Sequence, residues 1–273
     1  MELRKVLSYY FKNILYMLLF AVAPALFLGF LVHPFSIIEM LYNYPNMTSF
    51  SFADFFVGVY SSGAWGILWF VLGFVLVILC TCLLIGKIEL HFRTGKFDLS
   101  NHSVRSINNN LSSVSLVALL LIVLNFLLNV IALLLMFFVH FVAGGDGGAT
   151  VASITINWII GIAFVLAEGC FTAVFMFTAI DMAINGSPFT VALSDAFNNW
   201  SRHNCCGTIL TAVFPFVVGI VLTVLGAWLG VTWLTNILSI LFLLPYVCIL
   251  GMIDFFTYFD IPRYDNRTYY NLN

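Results

Sequence analysis

Charge is what this sequence has least of. Only 8 % of its 273 residues are Asp, Glu, Lys or Arg, where a soluble domain carries about 25 % to keep its surface hydrated. An exterior so poor in charge must meet lipid. The ten basic residues are spread over four places, too thinly to form a phosphate track, which excludes nucleic-acid binding. There is no Walker loop, no His-Glu-Xaa-Xaa-His and no Gly-Xaa-Ser-Xaa-Gly, so no cofactor and no catalytic set is expected. Ten-residue alternating segments of the membrane-barrel type are missing as well. Cysteine is sparse: Cys80 and Cys82 close one apolar run, Cys205 and Cys206 open another, and Cys170 and Cys248 lie within runs. With His91 and His203 these raise the question of zinc, but Cys-Xaa-Cys and Cys-Cys fall short of the usual ligand spacing. The paired cysteines fall on the reducing side, where disulfides are disfavoured. They read as small packing residues, with no metal.

What is present is apolar: 62 % hydrophobic residues and a mean hydropathy of +1.07. A crossing takes about 20 residues, and six runs of that order are legible. They are Ile14 to Val32, Gly66 to Ile85, Val114 to Val139, Ile154 to Ile180, Ile209 to Ala227 and Ile237 to Phe256. Unpaired peptide groups are too costly in hydrocarbon for anything but helices. The expected fold is all-α, a single domain over 1-273: a polytopic bundle of six transmembrane helices with short interfacial amphipathic helices. The third and fourth runs exceed 25 residues, which implies tilt or a protruding turn. Arg4, Lys5 and Lys12 before the first run are reminiscent of a signal peptide. The run is too long for that and ends in bulky Phe30, Leu31 and Val32, so it is read as retained.

The basic residues fix an orientation. Arg4, Lys5 and Lys12 precede the first span; Lys87, Arg93, Lys96 and Arg105 follow the second; Arg202 follows the fourth; Arg263 and Arg267 follow the sixth. The alternate connections carry only Glu39, Asp54 and Asp146. By the positive-inside rule both termini are cytoplasmic. Tyr9, Tyr10, Trp65, Trp158, Trp200, Trp228 and Trp233 lie near span ends and read as headgroup anchors.

Two inner connections look alike. Gly95-Lys96-Phe97-Asp98-Leu99 and Ile107-Asn108-Asn109 precede the third span; Gly186-Ser187-Pro188-Phe189-Thr190 and Phe197-Asn198-Asn199 precede the fifth. Phe11-Lys12-Asn13 echoes them before the first. Val104, Ile107 and Leu111 share one helical face, as do Leu193, Phe197 and Trp200, so each connection is expected to form an amphipathic foot in the interface. Repeat units over 1-86, 95-182 and 186-256 follow; such parallel repeats suit transport folds and plain scaffolds alike. Segments Gly95 to Leu111 and Gly186 to Gly207, each with the span after it, resemble small multi-span membrane proteins of low-GC Gram-positive bacteria. They are also similar to the membrane domain that accompanies some glycerophosphodiester phosphodiesterases. The resemblance implies a bacterial inner-membrane protein of unassigned or accessory role. The linked catalytic domain has no counterpart in these residues, so its activity is not implied.

Glu168 is the sharpest single feature, an acid near the middle of the fourth span. A central acidic side chain costs about 3 kcal/mol on insertion scales, so it should face protein or water. Held without a partner it would suit a proton carrier or cation ligand; bonded to Asn, Thr or Ser of a neighbouring span it would be structural. Asp181 and Asp254 stand at inner span ends, where they read as solvated boundary residues. If they met, with His203 nearby, they would suit acid–base work. The long outer connection from His33 to Trp65 is rich in aromatics and is expected to lie on the membrane or cap the bundle, with a short helix within Leu41 to Tyr60. Gly144 to Gly148 reads as a flexible outer turn around Asp146, without enough oxygen ligands for calcium. Pro24, Pro215 and Pro245 lie inside spans and should bend them. Three functions follow in order. The first is a non-enzymatic scaffold or accessory protein, with the lipid bilayer and another membrane protein or a second copy as partners. The second is a small transporter or channel centred on Glu168. The third is a lipid-directed enzyme using Asp181, Asp254 and His203.

Overall fold

The computed structural model describes residues 2–31, 35–46, 51–53, 56, 59, 64–97, 103–144, 149–202 and 205–264. Among the described residues the regular structure is helical: α1 Glu2–Lys12, α2 Ile14–Leu31, α3 Ser36–Asn43 with a 3-10 turn Tyr44–Asn46, α4 Ala64–Thr94, α5 Ser103–Ala143, α6 Val151–Ile184, α7 Phe189–Arg202, α8 Cys205–Leu229 and α9 Thr232–Tyr258. Five of these, α4, α5, α6, α8 and α9, are long and apolar enough to cross a membrane, and α1 with α2 forms a bent pair that makes a sixth if it counts as one span. The protein is therefore a multi-pass, membrane-embedded helical bundle.

The bend between α1 and α2 is 87°, and Asn13 makes it. Its Nδ2 donates to the Tyr9 carbonyl at 3.0 Å, closing α1, while its own carbonyl accepts from the Met17 N–H and opens α2. The opposite hairpin, α8 to α9, closes with a left-handed Gly230 (φ 70°) and a Val231 N–H bond to the Gly226 carbonyl at 2.9 Å, the glycine-capped ending that frees the chain to reverse.

α9 is the hub. It packs on α2, α4, α6 and α8, and 72 % of its apolar window is buried. α2 turns Met17, Ala21 and Ala25 toward it and Leu15, Leu19, Val22 and Leu26 outward; small side chains let two helices approach where lipid gives no hydrophobic drive. α5 lies at the periphery, against α4 and α6, and only 22 % of its window is buried.

The prolines of α8 and α9 are built into this packing. Pro215 lacks the N–H that would bond the Thr211 carbonyl four residues back, and the Tyr246 hydroxyl donates to that carbonyl at 2.9 Å. Pro245 likewise releases the Leu241 carbonyl, which accepts from the Tyr10 hydroxyl at 3.3 Å. Each freed acceptor is bonded by a tyrosine from another helix, as apolar surroundings require.

Several expectations change. Tyr10 is buried against the hub rather than anchored among headgroups. Trp158 and Trp200 are partly buried in the core, whereas Trp228 and Trp233 are exposed; the side chain of Trp65 lies outside the described residues. Lys87 is not in a connection but inside α4 and buried, because α4 runs two turns past the apolar run. Residues 103–111 form no separate foot: they are the first turns of α5, whose 41 residues span about 60 Å. The aromatic outer connection carries α3, Ser36–Asn43, wedged into the bundle rather than lying over it, and the described residues 52, 53, 56 and 59, inside the expected range, are helical as well. Much of 41–60 and the turn around Asp146 lie outside the described residues.

Candidate functional site

α6 carries a stripe at helical spacing: Ser153, Asn157, Gly161, Val165 and Glu168, all buried. Thr150 opens the helix above it, its Oγ1 accepting from the Ser153 N–H at 3.2 Å. α5 presents a parallel stripe of His140, Met136, Leu133, Asn129 and Asn125. α3 completes the seam. Its Ile37 and Leu41 pack against Gly161, and Phe35, just before it, packs against Gly219 of α8.

At the end nearest α3 the seam is polar. The Tyr44 hydroxyl lies 2.6 Å from His140 Nδ1 and 3.3 Å from Ser153 Oγ. Burial holds this phenol above its ordinary pKa, and the polar groups of Ser153 and Asn157 beside it act in the opposite direction. Neither the Oδ1 nor the Nδ2 of Asn157 makes a hydrogen bond. Mid-seam is apolar, through Leu41, Ala132, Leu133, Met136 and Val165.

At the far end stands Glu168, 7 % exposed, facing protein. The Asn125 side chain interacts with its carboxyl group, and Asn125 Oδ1 accepts from Asn129 Nδ2 at 2.9 Å. Oε1 of Glu168 has no hydrogen-bond partner. Asn125 itself is exposed at the edge of the α5–α6 seam, so this short polar chain runs from the bundle interior to its lipid-facing rim. The Phe216 ring of α8 closes over Gly169 beside the acid, and Phe35 stands edge-on to Phe216 at 6.2 Å.

The weaker candidates lie elsewhere. Asp181 is buried, not solvated, and serves the α6–α7 turn. Its Oδ1 accepts from Asn185 Nδ2 at 2.7 Å and from Ser187 Oγ at 3.1 Å around the left-handed Gly186. Asp195 of α7 is its acidic neighbour and accepts from the Tyr258 hydroxyl at 3.1 Å. Asp254 is buried in the hub helix rather than at a wet boundary. His203 and the side chains of Arg202, Cys205 and Cys206 lie outside the described residues. The four described cysteines are free thiols, and among the described residues no three His, Cys, Asp or Glu side chains are grouped to hold a metal ion.

Sequence reasoning isolated Glu168 but passed over its company. Asn125 and Asn129 are four apart in an otherwise apolar run, and Ser153, Asn157 and Glu168 recur on one helical face; that spacing was the available signal. No family model matches the chain, and no curated protein or solved structure matches it.

Proposed function

We propose that the protein is a six-span membrane protein of the bacterial cell membrane, with both termini cytoplasmic, and that it acts as a non-catalytic accessory or scaffold through the outward face of α5. The orientation is supported by charge. Lys5, Arg93 and Arg263 lie at one end of the bundle, where Arg93 stands 5.7 Å over the Phe256 ring and Arg263 5.4 Å over Phe92; basic residues belong on the cytoplasmic side. α1 before α2 and α7 before α8 act as separate feet, which favours a repeat of foot and hairpin, with α5 fusing its foot into the span.

One observation carries the accessory reading: Asn125 is an exposed amide within the apolar stretch of the least covered span. A polar side chain facing lipid is unfavourable, and amides promote association between transmembrane helices. Leu121, Ile122 and Leu128, three and four residues away, share its side of the helix and are partly exposed. A photocrosslinking residue at Leu128, beside Asn125, should give adducts with a membrane protein in cells. Adducts with lipid alone would remove the reading.

A second reading, a small transporter with Glu168 as its intramembrane proton or cation site, is favoured by the unbonded Oε1. In proteoliposomes it requires flux that Glu168→Gln abolishes; flux that survives the change rejects it.

A further inference from the structure

α3 is too short to cross a bilayer, yet Ile37, Ile38, Met40 and Leu41 are almost completely buried. It sits between α6 and α8, at the end opposite the basic residues. Its seats are glycines, Gly161 on α6 and Gly219 on α8, which present no side chain to interlock with it. At its C-terminal end the Tyr44 hydroxyl contacts His140 and Ser153. Beside Tyr44, one turn above the Gly161 seat, is Asn157, whose amide atoms make no hydrogen bond, and about two turns below the seat, on the same face of α6, is the unbonded Oε1 of Glu168. Such atoms are ordinarily satisfied by water. The apolar mid-seam around Val165 and Leu133, with the Phe35 ring on Phe216 on Gly169 beside it, separates α3 from the turn that carries Glu168. Pro215, next to Phe216, interrupts the hydrogen bonding of α8 at this level.

We propose that α3 is a movable outer plug, and that its withdrawal opens a trough along Ser153, Asn157 and Gly161 through which water and protons reach the Glu168 carboxyl group. The inference rests on the second reading, in which Glu168 is a protonatable site, and a two-probe experiment separates the two ideas. Carbodiimides add to protonated carboxyl groups. Dicyclohexylcarbodiimide enters from lipid, whereas a cationic water-soluble carbodiimide with glycine ethyl ester reaches only groups open to water. The full-length protein in outside-out proteoliposomes is treated with each reagent, and the Glu168 peptide is quantified by mass spectrometry.

Dicyclohexylcarbodiimide should label the wild-type protein and lose that label in Glu168→Gln. The water-soluble reagent should label the wild type weakly and Leu41→Asn or Gly219→Leu at least tenfold more, since each change unseats α3 from a different side. If neither variant gains water-soluble labelling while the lipid-borne label persists, the plug is wrong and the acid site stands. Equal water-soluble labelling of wild type and variants also overturns the plug, because the route is then already open. No lipid-borne label on the wild type removes the site and the plug together. If both variants fail to fold, Tyr44→Phe, which deletes one oxygen, carries the same comparison.

Discussion

The Tyr246 hydroxyl binds the carbonyl that Pro215 releases, and its deletion tests whether that contact matters. A buried acceptor left unbonded costs about 1–3 kcal/mol, so Tyr246→Phe should lower the thermal unfolding midpoint in detergent. Tyr10→Phe should lower it less, since its bond is 3.3 Å and only part-buried. An unchanged midpoint for Tyr246→Phe contradicts this account of the kink. Asn157 makes the opposite prediction: its amide is buried without a hydrogen bond, so Asn157→Leu should leave stability unchanged or raise it, because removing an unsatisfied polar group relieves its desolvation. A marked loss of stability would mean that the amide has a partner. The prolines were legible in the sequence, but their tyrosines were not. The partners are 35 and 231 residues away, and no local pattern encodes a contact at that separation.

Helices follow from hydrophobic runs, and each of the five long spanning helices extends at least as far as the run that announced it. Their continuations beyond lipid were not legible, because polar turns such as 103–111 form helix as readily by continuing a helix as by starting one. α3 was obscured for a related reason. Four buried apolar residues in eight fit an interfacial helix as well as a wedge; the difference lies in Gly161 and Gly219, on helices that meet only in the folded bundle. A side chain at Gly219 would collide with the Phe35 ring. Gly219→Val should therefore cost about 1–3 kcal/mol by overpacking, and Phe35→Ala in the same chain should return part of it. The thermal midpoints of the four proteins give the coupling. Strict additivity would separate the two residues and displace α3 from its seat.

For the whole molecule, a scarcity of charge and the placement of what remains dictated a multi-pass bundle. The candidate acid was visible as an anomaly in a span. Which helices surround it was not visible, because α5, α6 and α8 meet through ordinary apolar residues that would serve any neighbour. The claim beneath every other one is that the basic end and the α3 end of the bundle lie on opposite sides of the membrane. Membrane-impermeant thiol labelling of intact cells tests it, with single cysteines at Lys96 and at Gly144 in a cysteine-free background. The account predicts labelling at 144 before lysis and at 96 only after it. Labelling of both positions in intact cells would contradict the arrangement of spans on which the site and its plug depend.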